Sequence, residues 1–233
     1  MRVLVLEDDD GLRTSMRLVL EQEGYGVLEA DHTEAGLALV REHRVDVMLV
    51  DLMLGGIDGF TFIRRARRTS TAPIIVISAR DTTVDVVHAL EAGADDYVKK
   101  PFDVDEVRAR VRAALRRPSI ATGRHTRAAR PVVIDSANGP LVFDVAAAQL
   151  RRADQIVHLT HTEYRLLVAL CGQAGRVLSR SQLLEQAWVD GHYGDERIVD
   201  VHIRRLRTKL EIDPSRPELV QTIRGLGYRL DLR

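Results

Sequence analysis

Val45-Asp46-Val47-Met48-Leu49-Val50-Asp51 is a short apolar run that ends on a carboxylate. Its length and β-branched content read as a buried strand. In an open parallel sheet, ligands bind in the crevice outside the carboxyl ends of the strands. Three further runs also end on polar groups: Val3-Leu4-Val5-Leu6 enters Glu7-Asp8-Asp9-Asp10, Pro73 to Ile77 enters Ser78-Ala79, and Tyr97-Val98 enters Lys99-Lys100-Pro101. Four strand ends therefore bring carboxylates, a hydroxyl and an ammonium to one edge, with Asp51 at its centre.

Outward from that edge, strand and helix patterns alternate. A helical stretch from about Asp9 to Gly24 carries Leu12, Met16, Val19 and Leu20 on one face. A strand from Val27 to Ala30 and a helix with Ala35, Leu39 and Val40 follow. Helices from about Phe60 to Arg68, Thr82 to Ala92 and Asp103 to Arg117 complete five βα units. Short connections between such units imply a doubly wound parallel sheet over residues 1–117.

Pro118 to Arg130, rich in Pro, Ser, Thr, Gly, Ala and Arg without apolar period, reads as a solvated linker. Beyond it, residues 131–233 form an α+β pattern. Short strands lie near Val132-Val133-Ile134, Leu141-Val142-Phe143, Gln149-Leu150 and Val157-His158-Leu159. Three helices near 162–173, 181–189 and 196–210 follow, the first behind the capping-box sequence Thr160-His161-Thr162-Glu163. A hairpin closes the chain, Val220 to Arg224 and Tyr228 to Leu230, turned at Gly225-Leu226-Gly227.

The formal net charge of the 233 residues is zero, but it is unevenly spread. Residues 1–115 hold 21 acidic against 15 basic side chains, leaving −6, and residues 116–233 hold 13 against 19, leaving +6. An acidic half with its own chemistry and a basic half that meets a polyanion fit that split. Cys171 is the single cysteine, which excludes an internal disulfide and reads as a small core hydrophobe. No run has the length to span a bilayer, and the chain enters a strand after Met1-Arg2 without a signal-peptide pattern, so a cytoplasmic protein is expected.

Clustered carboxylates repel one another unless they hold a cation or a proton. With oxygen ligands and no His or Cys nearby, the expected cation is hard, Mg²⁺ ahead of Ca²⁺ or Mn²⁺. Mg²⁺ keeps waters and recruits phosphate, so the expected chemistry is phosphoryl transfer with Asp51 as nucleophile. Lys100 can then pair with the transferred group and Ser78 can hydrogen-bond its oxygens. Asp9 or Asp10, just after a strand, is better read as a helix cap than as a ligand.

Glu7-Asp8, Asp51, Ser78-Ala79 and Lys100-Pro101, in that order, resemble the receiver domain of two-component response regulators. Leu52-Met53-Leu54 and Gly93-Ala94-Asp95-Asp96-Tyr97 extend the match over residues 1–117. The resemblance implies that Asp51 accepts a phosphoryl group from a sensor histidine kinase. It also implies Mg²⁺ held by Asp8, Asp51 and the Met53 carbonyl, with Glu7 acting through water. Ser78 and Tyr97 would be the switch pair, Ser78 moving to the phosphoryl oxygen and the Tyr97 ring turning inward. Gly55 stands where the family usually has proline, which makes the loop more flexible. On the face formed by residues 82–117, Asp95 and Asp96 can meet Arg110 and Arg117 of a partner's last helix, and Glu106 can meet His88. Similar regulators use this face for a phosphorylation-driven homodimer.

In the basic half, Glu196 to Leu210 offers Ile198, Val199, Ile203, Leu206 and Leu210 to a core. Arg197, Val201, His202, Arg204 and Arg205 are left to project outward. Two preceding helices and a following hairpin with Arg224 at its tip make this a helix-turn-helix plus wing. Val201-His202-Ile203-Arg204-Arg205-Leu206-Arg207 and Thr222-Ile223-Arg224-Gly225-Leu226-Gly227-Tyr228 resemble the winged-helix domain of the OmpR/PhoB subfamily, over residues 131–233. That resemblance implies base reading by Arg205 and Val201 in the major groove of double-stranded promoter DNA. Phosphate contacts would come from Arg197, His202, Arg204, Arg207, Thr222, Tyr228 and Trp188, and Arg224 would enter the minor groove. The loop from Trp188 to Asp195 would touch RNA polymerase. Ile198 departs from the family's frequent threonine, and His161 from its proline. A constitutive DNA binder is the plainer alternative, against which the complete set of Asp51, Ser78 and Lys100 argues. A phosphatase of the haloacid dehalogenase type needs a second aspartate where Met53 stands. The expected protein therefore undergoes self-catalysed phosphorylation without turning over a substrate.

Overall fold

The computed structural model of the chain describes residues 1–56, 58–116, 131–137, 139–188 and 196–233. The chain divides into two compact units, Met1–Arg117 and Pro118–Arg233.

The first unit alternates strand and helix: β1 (Arg2–Leu6), α1 (Asp10–Gln22), β2 (Gly26–Ala30), α2 (Thr33–Glu42), β3 (Val47–Val50), α3 (Gly59–Ala66), β4 (Ile74–Ser78), α4 (Thr83–Ala92), β5 (Asp96–Lys99) and α5 (Val104–Leu115). The five strands are parallel, in the order β2-β1-β3-β4-β5. The order reverses between β1 and β3, where Leu6 is in register with Val50. Glu7 and Asp51 each follow their strand by one residue, so they lie side by side at the topological switch point.

Alternation along the strands sends side chains to opposite faces. Val3, Val5, Val47, Leu49, Ile75, Ile77 and Val98 pack on Met16 and Leu20 of α1 and on Val107 and Val111 of α5. On the other face α2 closes on α3 at Gly36, where a Cβ would lie 3.0 Å from the Phe62 ring. Four of the five helices start where the sequence supplies a side-chain cap, and α2 starts without one. Asp9 accepts from the Leu12 N–H at 2.7 Å, and Asp58, Thr82 and Asp103 cap α3, α4 and α5. Asp9 is thus a cap, as its position after a strand implies.

The second unit opens with a four-stranded antiparallel sheet of β6 (Val132–Asp135), β7 (Leu141–Asp144), β8 (Gln149–Arg152) and β9 (Gln155–Val157). Then come α6 (His161–Gly172), β10 (Val177–Leu178), α7 (Arg180–Ala187), α8 (Arg197–Leu210), β11 (Val220–Ile223) and β12 (Gly227–Leu230). The last strands form a three-stranded sheet, β10-β12-β11, whose β11–β12 hairpin is the wing. Both halves of the capping box form at the start of α6, with Glu163 answering Thr160.

Strand β10 is an element that periodicity does not reveal, because two residues are too short to show a period. It is defined by its partner: Leu178 pairs with Tyr228, and Gly227 approaches so closely that a Cβ would lie 2.0 Å from the Leu178 oxygen. Ile198, Val199, Ile203, Leu206 and Leu210 of α8 are buried as expected. Val201 and His202 are buried as well, which corrects the expectation that they project outward. The inward arc of α8 is wider than one apolar stripe, because the Trp188 ring packs edge-on against His202 with centroids 5.2 Å apart.

Candidate functional site

At the switch point the Asp51 carboxylate is nearly buried and fully engaged. One oxygen accepts from the Met53 N–H at 2.8 Å, and the other receives the Lys100 ammonium at 2.6 Å. The same ammonium reaches Glu7 at 2.8 Å, so one cation bridges two buried carboxylates delivered by β1 and β3. Asp8, exposed, accepts from the Gly55 N–H at 3.0 Å across the crevice. Carboxylate oxygens of Glu7, Asp8 and Asp51 lie within 4.8 Å of one another, an all-oxygen donor set suited to a hard divalent cation. Burial, reinforced by the neighbouring Asp51 charge, pushes the Glu7 carboxyl above its ordinary 4.5 against the pull of Lys100. For Lys100, burial works downward, but hydrogen bonds to Asp51 and Glu7 outweigh it and hold the ammonium above 10.5.

Ser78 at the end of β4 is fully buried, its hydroxyl oxygen accepting from the Arg80 N–H at 3.4 Å. The Tyr97 hydroxyl donates to the Arg80 carbonyl, and burial pushes its pKa up to about 12. Both members of the expected switch pair thus converge on the Arg80 backbone, through its N–H and its carbonyl. Met53 projects its side chain outward beside the acidic oxygens.

In the second unit Arg197 and Arg204 of α8 and Thr222 and Arg224 of the wing are exposed. Arg207 is committed to structure: its guanidinium donates to the Val220 carbonyl at 2.9 and 2.6 Å and to the Thr222 hydroxyl at 2.7 Å, tying α8 to β11. Tyr228 is buried, donates to Asp200 at 2.6 Å, and is pushed up to about 12 by burial and by that carboxylate. Trp188 is buried against His202.

Two family models match the chain, the response regulator receiver domain over residues 3–112 and the C-terminal domain of transcriptional regulatory proteins over 154–230. Transcriptional regulatory protein AfsQ1 of Streptomyces coelicolor is 45% identical over 98% of this chain and 97% of its own length. The KDP operon transcriptional regulatory protein KdpE of Escherichia coli is 41% identical over 99% of both. This chain is a response regulator of the OmpR/PhoB type. Among solved structures, a RitR mutant aligns over 98% of both chains with a TM-score of 0.74 at 28% identity. DrrB of Thermotoga maritima, an OmpR/PhoB homologue, aligns over 99% of this chain and 98% of its own with a TM-score of 0.50, also at 28% identity. The response regulator carries a receiver domain followed by a DNA-binding transcriptional regulatory domain. Among its described residues no helix is long and apolar enough to cross a membrane.

On the α4-β5-α5 face of the response regulator, one of the pairs expected between subunits, Asp96 with Arg110, is closed within one chain. Arg110 donates to its own Asp96 at 2.8 Å and to its own Glu106 at 2.6 Å. Asp95 is buried, pairs with Arg67 and accepts from the Ile74 N–H at 3.0 Å, which corrects its placement at a partner's helix. Residue 95 precedes β5 and turns into the α3 side of the sheet, where a buried carboxylate needs a cation and finds Arg67. His88 is exposed. Arg117, the linker 118–130 and residues 189–195 of the expected polymerase loop lie outside the described residues.

Two features of the response regulator escape a reading of the sequence. The Gly55 N–H is free to donate because that position is not proline, but its bond to Asp8, 47 residues away in sequence, is made only by the fold. Glu163 announces itself as a capping residue, yet it also meets Arg205 and Lys209, which lie more than forty residues away along the chain.

Proposed function

We propose that this chain is a cytoplasmic transcription factor switched by phosphorylation of Asp51, in which residues 1–117 receive the phosphoryl group, 118–130 link, and 131–233 bind promoter DNA. The observation that carries the reading is the Lys100 ammonium bridging Asp51 and Glu7 at the switch point.

One Asp51 carboxylate oxygen attacks the phosphorus of a phosphohistidine on a sensor kinase. The new P–O bond forms as the P–N bond breaks, and the departing imidazole takes up a proton. Lys100, already hydrogen-bonded to Asp51, is placed to pair with the negative charge that arrives on that carboxylate. Ser78 supplies a hydroxyl at the end of the neighbouring strand. Asp8, Asp51 and the Met53 carbonyl would hold Mg²⁺, with Glu7 through water; when bound, the ion neutralises charge on the transferred group. The chemistry is self-catalysed and ends on the protein, so the regulator is not an enzyme in the turnover sense.

The phosphorylated protein pairs as a homodimer through the 82–117 face, where His88, Glu106, Asp96 and Arg110 supply charge at or near the surface. It then binds repeated sites in double-stranded DNA. Arg197, Arg204, Thr222 and Arg224 are exposed and supply the contacts that position α8 and the wing, with Arg205 reading bases. Val201, His202, Trp188, Tyr228 and Arg207 act chiefly by setting the shape of that surface. RNA polymerase is the expected partner of the loop after α7.

The test is acyl-phosphate formation from acetyl phosphate with and without Mg²⁺, on wild type and Asp51→Ala, with mass and DNA binding followed in parallel. Wild type should label, dimerise and bind a repeated site more tightly; Asp51→Ala should do none of these. Labelling that persists in Asp51→Ala removes Asp51 from the reaction, and DNA binding indifferent to labelling restores the constitutive binder.

A further inference from the structure

Glu163 has no exposed surface, and its carboxylate serves three groups at once. One oxygen accepts from the Thr160 N–H at 2.9 Å, closing the capping box, and also takes the Lys209 ammonium. The other oxygen lies 3.2 Å from a guanidinium nitrogen of Arg205, an ion pair without hydrogen-bond geometry. Arg205 and Lys209 are one turn apart on α8, so one buried anion grips two cations of the same helix.

The two cations are not equivalent. Lys209 has a second anchor, the His158 carbonyl at 2.8 Å. Arg205 instead brings its other terminal nitrogen to 3.5 Å from His202 Nδ1, and His202 is itself packed on Trp188. The Arg205 guanidinium therefore lies between a fixed carboxylate and a fixed ring, with 16% of its side chain exposed. A guanidinium recognises a base edge through a planar fork, and one already held in place loses less freedom on binding.

We propose that Glu163 is a specificity-determining positioning residue: its buried charge holds the Arg205 guanidinium in place and thereby sets the base that Arg205 selects. This rests on the reading that Arg205 reads bases. Glu163 touches no DNA and acts only through Arg205.

The experiment is selection of bound duplexes from a random-sequence pool by the full chain, compared among wild type, Glu163→Gln, Lys209→Gln and Arg205→Ala. Glutamine keeps an acceptor for the Thr160 cap while removing the charge. Arg205→Ala and Glu163→Gln should flatten the preference at the same base pair, by roughly tenfold for a lost bidentate contact. Lys209→Gln should leave the preference as in wild type, and the salt dependence of binding to an unselected duplex should not change in Glu163→Gln. Should Glu163→Gln fail to fold, Glu163→Asp keeps the charge, shortens the arm and should weaken the same preference. An unchanged preference in a folded Glu163 variant, with only its unfolding temperature lowered, overturns the proposal, as does equal flattening by Lys209→Gln. An unchanged preference in Arg205→Ala overturns the base-reading role itself, and with it the proposal, by a different result.

Discussion

Lys100 places one positive charge between two buried carboxylates, and both of its contacts are short. Removing it leaves Glu7 and Asp51 as unscreened like charges in a site with little water. Lys100→Met should lower the stability of metal-free protein by about 3 kcal/mol, the scale of breaking a buried pair from one side. Urea titration measures it, and millimolar Mg²⁺ should restore part of the loss; stability unchanged without metal would contradict the bridging role. Glu7 makes a second, opposite prediction. Its carboxyl is raised in the folded state, so the folded unit holds that proton more tightly than the unfolded chain does. The resulting stabilisation is complete below pH 4.5 and is lost as the pH climbs through the raised value. Glu7→Gln should therefore gain stability over wild type between pH 4.5 and neutrality in metal-free buffer, and parallel pH profiles for the two would exclude this. Asp51 and Lys100 are visible in sequence because each terminates or follows a strand. Their hydrogen bond is not, since it spans 49 residues and depends on which strands are neighbours.

At the scale of elements, α3 is docked under β3 through Gly59, where a Cβ would lie 2.2 Å from the Asp51 carbonyl oxygen and 2.7 Å from the Leu52 Cα. Both obstacles are backbone, so nothing can swing aside. Gly59→Ala should cost about 2–3 kcal/mol by overpacking and slow Mg²⁺-dependent labelling, because the peptide it displaces carries the phosphoacceptor. Thermal unfolding and labelling kinetics check both halves, and normal labelling in a destabilised variant would separate docking from chemistry. The five βα units were legible because β1, β3 and β4 are nearly continuous apolar runs and most of the helices begin at a capping side chain such as Asp9, Thr82 or Asp103. What escaped depends on tertiary neighbours. Strand β10 exists only against β12, and His202, polar in any hydropathy scale, is buried because Trp188 supplies a ring to pack on. Asp95 likewise reads as a charge for a partner's helix until the fold pairs it with Arg67.

For the whole molecule, the charge split of −6 against +6 fits the proposed division between an acidic receiver and a basic unit that meets a polyanion. The proposed dimer face would work around ion pairs already closed within each chain, Arg110 with Asp96 and Glu106. Exposed His88 is the side chain there that can be altered without disturbing them. His88→Asp, facing Glu106 of a second copy, should weaken the phosphorylated dimer about two- to fivefold, while His88→Lys should not, by sedimentation equilibrium. Equal dissociation constants for both would move the interface elsewhere. The wing sets a different kind of limit, on redesign. Gly227 stands at φ 144° with its Cα pressed on the Leu178 backbone, and Gly225 at φ 75° tolerates little beyond asparagine. Arg224 and Leu226 are both exposed. A combinatorial library built to redirect this regulator to new promoters therefore has two open codons at the wing tip, 224 and 226, and one at 227 that must stay as it is.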